Sequence, residues 1–320
     1  MAATLTELVK KGCSIFIVGN LTSKNKEKFA IIGSRFSTLR GFKEAEIDSF
    51  NDFKTVEGNK CFNALTTREK NALMALKDSI DPGVSIEENF IIILTKDFIR
   101  KQLSAIDGIT IKELNANPLL CKALKLKTPI EFVKFYTYSA LSRSIVTSMG
   151  FLVQDLLLYS NDNVFDGKEY EAEIGTKWDL VIERLNGVRT YIEVKSGPND
   201  MNKSQILHYV EAIDKVLRRG GSAFFGITYG KKTEPSVTTS ILETYVKNWK
   251  DKTLIGRELW NYISDNADYH NILMNTLEST AEAVMGNISL VEKIEQKILE
   301  LLDEFEIRYE SMEDFYSSLW

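Results

Sequence analysis

Residues 178–195 read WDLVIERLNGVRTYIEVK, two strand-like segments on either side of Asn186-Gly187. An Asn-Gly step between alternating segments is a strong signal for a β-hairpin. Two registers compete. A two-residue turn would pair Leu185 with Val188 and set Asp179 opposite Val194, on the other face from Glu193. A three-residue loop, Leu185-Asn186-Gly187, with Gly187 left-handed in a bulge, pairs Arg184 with Val188 instead. Asp179 then stands opposite Glu193, Val181 opposite Tyr191, and Glu183 opposite Arg189.

Patterning separates the two. In the bulged register Trp178, Leu180 and Ile182 share a face with Thr190, Ile192 and Val194, while Asp179, Glu183, Arg189, Glu193 and Lys195 share the other. A slip of one residue would interleave charges with aliphatic side chains at every step. The bulged hairpin is therefore expected, and it sets one carboxylate directly across from another. A solvated face with cross-strand ion pairs accounts for Glu183 and Arg189 but not for that opposition, because like charges at facing positions destabilise a strand pair. A hard divalent cation such as Mg²⁺, held by Asp179, Glu193 and the backbone carbonyl of Val194, keeps both groups ionised. Lys195, two residues on, points the same way as Glu193. It is placed to hold or activate a water and to neutralise charge building on a phosphate. That set suits phosphodiester hydrolysis.

Downstream, Ser196-Gly197-Pro198-Asn199 breaks the strand, and Lys203–Arg219 reads as an amphipathic helix with Ile206, Val210, Ile213 and Leu217 on one stripe. Gly220-Gly221 ends it, and Ser222–Tyr229 reads as a buried strand. On Asp179, Glu193-Val194-Lys195 and the Ser-Gly-Pro-Asn continuation with Asn202 and Gln205, the chain resembles the PD-(D/E)xK nuclease superfamily, most closely its type II restriction endonucleases. The resemblance spans residues 130–235. It implies an α/β restriction-endonuclease-like core with a mixed central sheet flanked by helices. It further implies Mg²⁺ dependence and sequence-specific double-strand cuts in DNA that leave 5′-phosphates. Trp178 stands where the superfamily motif has a proline, a residue often missing there. A homodimer is expected, since two-fold protein symmetry mirrors a palindromic target. Asn199, Asn202 and Gln205 suit contact with the DNA backbone or orientation of Lys195, and equally a turn and a helix cap. Two rivals stay open: a repair, recombination or junction-resolving nuclease on the same core, and a non-catalytic DNA-binding protein.

The chain has 320 residues and a net charge of −5. The acidity is local: residues 292–314 hold nine acidic side chains against Lys293, Lys297 and Arg308, a net of −6, which leaves +1 elsewhere. Residues 24–43 are basic, with Lys24, Lys26, Lys28, Arg35, Arg40 and Lys43 against Glu27 alone, and Phe29, Phe36 and Phe42 interleaved. Because Lys and Arg supply the main electrostatic term in DNA binding, Lys24, Lys26, Lys28, Arg35 and Arg40 are candidate phosphate contacts. A solvated helix face is the plainer reading of such a run.

Cys13, Cys61 and Cys121 are widely spaced and read as reduced thiols. No unbroken apolar run approaches the roughly 20 residues of a membrane span, and the N-terminus lacks a signal-peptide pattern, so a cytoplasmic protein of a prokaryotic cell is expected. His208 and His270 make no histidine motif, and Gly226–Thr233 is one residue short of a phosphate loop, so no nucleotide cofactor is expected. Glu169, Glu171 and Glu173 read as a solvated strand entering the hairpin, with assistance to a second metal ion as the weaker alternative. Three regions are expected: a mostly helical 1–128 as a candidate DNA-contacting part, the catalytic core 129–250, and a helical 251–320 for core packing or dimerisation. Thr66-Thr-Arg-Glu69 and Ser289-Leu-Val-Glu292 are capping boxes opening helices. The second helix carries the stripe Val291, Ile294, Ile298, Leu301 and Phe305.

Overall fold

The hairpin forms in the bulged register. In the computed structural model, which describes residues 4–17, 23–50, 65–171, 175, 177–184, 187–199 and 201–319, Glu183 pairs with Arg189 and Val181 with Tyr191. The Arg184 amide donates to the Val188 carbonyl at 3.1 Å, and Gly187 is left-handed at φ 74°. That backbone conformation costs a glycine nothing and would strain any residue with a Cβ. Leu185 and Asn186 of the turn lie outside the described residues, as do Val18, Cys61 and Glu173.

Five strands make one mixed sheet in the order β1 (Val164–Asp166), β2 (Leu180–Glu183), β3 (Arg189–Lys195), β4 (Ser222–Ile227), β5 (Thr253–Ile255). The first three are antiparallel, and β3, β4 and β5 are parallel. Helix Lys203–Arg218 carries the chain from β3 to β4, and helix Val237–Tyr245 carries it from β4 to β5. The fold is thus the expected α/β type, a mixed sheet flanked by helices. β5 is a correction, since 251–320 was expected to be helical throughout. Three residues within two 3.6-period segments are too few to show an alternation of their own.

On the face of the sheet covered by helix Lys203–Arg218, Val181, Tyr191 and Phe225 pack against Ile206, Ile213 and Val216. Leu217, expected in the stripe, is exposed. Trp178 is a second correction. It was expected beside Leu180 and Ile182 but packs on the opposite side, with ring centroids 5.9 Å from Tyr191 and 5.7 Å from Tyr209. It precedes the first paired residue of β2, so strand alternation does not bind it.

The chain divides into two units, each discontinuous in sequence: residues 1–94 with 152–278, and residues 95–151 with 279–320. The first holds the sheet. There, helix Thr67–Ser79 opens with the Thr66–Glu69 capping box. The second is built on an aromatic core of Phe132, Tyr136, Phe305, Phe315 and Tyr316, joined by Ile294, Ile298 and Leu301 from helix Leu290–Arg308. Val291 is exposed instead of lying in that stripe.

Helix Pro129–Leu158 carries an 18-residue window of mean hydropathy 1.2, long and apolar enough by composition to cross a membrane. Interspersed serines and threonines hide this from a search for unbroken apolar runs. Its buried side chains are Phe132, Val133 and Tyr136 toward one end, Leu141, and Leu152, Val153, Leu156 and Leu157 toward the other.

Candidate active site

β2 and β3 bring the acidic pair together. The Asp179 amide donates at 3.2 Å to the Ile192 carbonyl, the residue already opposite Leu180, so the regular ladder ends there and Asp179 sits just beyond it, close enough to Glu193 for the two charges to act on each other. Asp179 Oδ2 accepts the Val194 amide at 2.8 Å, so the strand backbone itself orients this carboxylate. By alternation along β3, the Val194 carbonyl points toward the same edge as that of Ile192.

Glu193 is only 5 % exposed. Its carboxyl is pushed above the ordinary range by burial first and by the charge of Asp179 second, and pulled back by Lys195 and Tyr209. Lys195 Nζ lies 2.6 Å from Glu193 Oε1 and keeps partial contact with solvent. The end of β3 is pinned to β4. The Thr228 amide donates to the Lys195 carbonyl at 3.1 Å, and Thr228 Oγ1 donates to the Ser196 carbonyl at 2.6 Å.

A cleft of about 180 Å³ opens beside Asp179, lined also by Gln154, Asp155, Asp166, Lys168 and Val194. Asp155 is ion-paired with Lys11 at 2.8 Å, and Asp166 accepts the Lys168 amide at 2.9 Å. Among the described residues, no group of three or more His, Cys, Asp or Glu side chains is placed to hold a metal ion. Asp179, Glu193 and the Val194 carbonyl would offer such an ion two carboxylates and a backbone carbonyl, all hard oxygens. That is the kind of set Mg²⁺ uses when water and substrate phosphate complete its shell.

The amide side chains after the motif are engaged with backbone. Asn202 caps helix Lys203–Arg218, with Oδ1 accepting the Gln205 amide at 3.0 Å while Gln205 Oε1 accepts the Asn202 amide at 3.0 Å. Asn199 Oδ1 accepts the Val237 amide at 3.1 Å and so anchors helix Val237–Tyr245.

In the basic segment, Lys26, Arg35 and Arg40 are exposed, whereas Lys28 is ion-paired with the buried Glu69 at 2.8 Å. The side chain of Lys24 lies outside the described ones. The interleaved aromatics are core: Phe29 and Phe42 are fully buried, and Phe36 packs 5.5 Å from Phe42 and 5.6 Å from Phe50.

Tyr209 is the residue the sequence reading passed over. It sits one position after His208, whose exposed ring packs on it, and pairs with the Glu193 carboxylate. Its signal was position: three residues beyond Ile206 on the buried side of the helix that crosses back over β3.

No curated protein matches the chain closely. The family profile of the type II restriction endonuclease EcoO109I matches residues 86–284, which include all five strands and more than half of the chain. The chain belongs to the EcoO109I family of type II restriction endonucleases.

Proposed function

We propose that this protein is a Mg²⁺-dependent endonuclease making sequence-specific double-strand cuts in DNA and leaving 5′-phosphates. The observation that carries the proposal is Asp179, oriented by the Val194 amide at the end of the hairpin, beside the buried Glu193 with Lys195 against it. Asp179, Glu193 and the Val194 carbonyl are the groups that would hold the ion. When bound, the ion supplies Lewis-acid polarisation of a phosphate oxygen and makes water more acidic.

Each residue of the chain then has a task. The Val194 amide fixes the Asp179 rotamer, so that carboxylate needs no reorganisation on loading. Glu193, buried beside it, holds its charge at a fixed place in a low-dielectric site, where electrostatic stabilisation is strongest. Lys195, able to swing from Glu193 toward the solvent side, positions the attacking water and offsets charge on the phosphoryl oxygens. Asn199 and the Asn202–Gln205 box keep the turn after β3 rigid.

Lys26, Arg35 and Arg40 are proposed to meet DNA phosphates; Lys28, expected with them, is instead taken up by the buried Glu69. Two copies are proposed to act together. In the second unit, helix Pro129–Leu158 leaves Val146 71 % and Phe151 65 % exposed, an apolar surface suited to a partner subunit. Family membership favours action on DNA in the cytoplasm. The test is digestion of unmethylated phage DNA followed by sequencing of fragment ends and direct ligation. One recurring sequence and ligatable 5′ ends are expected, and random ends would refute sequence specificity. Sedimentation equilibrium should give twice the chain mass, and a monomer at assay concentration would refute the dimer.

A further inference from the structure

Glu193 points to the face of the sheet that helix Lys203–Arg218 covers, because its register partner on β4 is Phe225, a member of the core on that face. Tyr209 of that helix lies against Phe225, with ring centroids 6.0 Å apart, and against Trp178, the neighbour of Asp179, at 5.7 Å. Two aromatic rings therefore fix the phenol from both sides, and its hydroxyl is the partner of the Glu193 carboxylate. The other donor to that carboxylate is Lys195, at 2.6 Å.

These two donors differ in freedom. A lysine on a four-carbon stem changes partners readily, whereas a clamped tyrosine does not. If Lys195 is to serve water and phosphate during cleavage, it must loosen its hold on Glu193. A buried carboxylate left without a donor would then be costly.

We propose that Tyr209 is a positioning residue: its hydroxyl holds Glu193 in the ligand orientation beside Asp179 and keeps it supplied with a donor when Lys195 turns to the phosphate. This rests on the nuclease reading above. The hydroxyl acts through Glu193 and touches neither ion nor DNA. Outer partners of metal ligands typically contribute about 10–100-fold in metal affinity or activity, and that range is expected here.

Tyr209→Phe keeps the ring between Trp178 and Phe225 and removes only the oxygen. Three measurements on the full-length protein read the change: thermal melting, Mn²⁺ binding by calorimetry without DNA, and steady-state cleavage of a cognate plasmid. The expected result is a melting temperature close to that of the unaltered protein. Mn²⁺ affinity should fall by about 10-fold or more and kcat should fall, with KM for DNA unchanged. Equal Mn²⁺ affinity and equal kcat in the variant would overturn the assignment while leaving the nuclease reading intact. A loss confined to KM would also overturn it, since it would mark a DNA contact. Unaltered protein that neither binds Mn²⁺ nor cuts would overturn both.

Discussion

Gly167 touches the candidate site through backbone alone, and replacing it tests whether the position of Asp179 governs the rate. Its amide donates to the Asp179 carbonyl at 3.0 Å, and a Cβ at this position would lie 2.1 Å from the Trp178 carbonyl oxygen and 2.6 Å from its carbon. Since a Cβ contact below 3.0 Å is essentially never tolerated, Gly167→Ala must open this approach by about 0.9 Å. The obstacle is backbone, not a side-chain tip, so it cannot yield by rotating away. The displaced segment is Trp178-Asp179. A misplacement of about 1 Å in a catalytic group costs on the order of 10²-fold in rate, and overpacking of this kind costs about 1–3 kcal/mol in stability.

The control is Gly12→Ala, whose Cβ would meet the Leu76 side chain at 2.4 Å, away from the sheet. Both variants should lose stability in thermal melts. Only Gly167→Ala should lose about 10²-fold in single-turnover cleavage at saturating Mg²⁺, at a temperature where both remain folded. A folded Gly167→Ala protein that cuts at the unaltered rate would refute the link between Asp179 geometry and chemistry.

Three further outcomes are expected. Burial and Asp179 raise the Glu193 pKa, so the metal-free protein binds this proton more tightly folded than unfolded. The penalty is absent below the unfolded glutamate pKa, about 4.3, and grows as pH rises through the folded value. Glu193→Gln should therefore melt higher than the unaltered protein above that window and equally below it. A lower melt at alkaline pH would contradict this. Lys28→Met leaves Glu69 buried without its cation and should cost about 3–5 kcal/mol in denaturant unfolding, whereas Lys26→Ala should leave stability unchanged and weaken DNA binding. Asn202→Ala removes a cap and should cost about 1 kcal/mol with little change in kcat; a tenfold fall in kcat at constant stability would assign it to the chemistry instead.

The centre of the fold was legible because two independent local signals agreed there. Asn186-Gly187 limits the loop, and alternation along both segments selects one of its registers, in which Glu183 meets Arg189 and Val181 meets Tyr191. Capping boxes at Thr66 and Ser289 marked helix starts for the same reason, since each spends side chains on specific amides. What stayed hidden depends on partners distant in sequence. The short β5 exists because β4 offers it an open edge, and three residues cannot declare that alone. Trp178 lies outside the ladder, so only its neighbours Tyr191 and Tyr209 decide its side. The phenylalanines among the basic residues 24–43 carry no periodic signal that assigns them a role, and tertiary packing places Phe29 and Phe42 in the core. Tyr209 was obscured by the aliphatic stripe beside it, because periodicity reports which face is buried and not which hydroxyl meets a carboxylate.

The most direct test of the central claim is cleavage of unmethylated phage DNA by the purified protein, with Mg²⁺ or with EDTA, beside Asp179→Ala and Lys195→Ala. Discrete fragments that require Mg²⁺ and vanish in both variants are predicted. Fragments that persist in EDTA or in either variant, or no cutting under any condition, would contradict the assignment of Asp179, Glu193 and Lys195 as the site of hydrolysis.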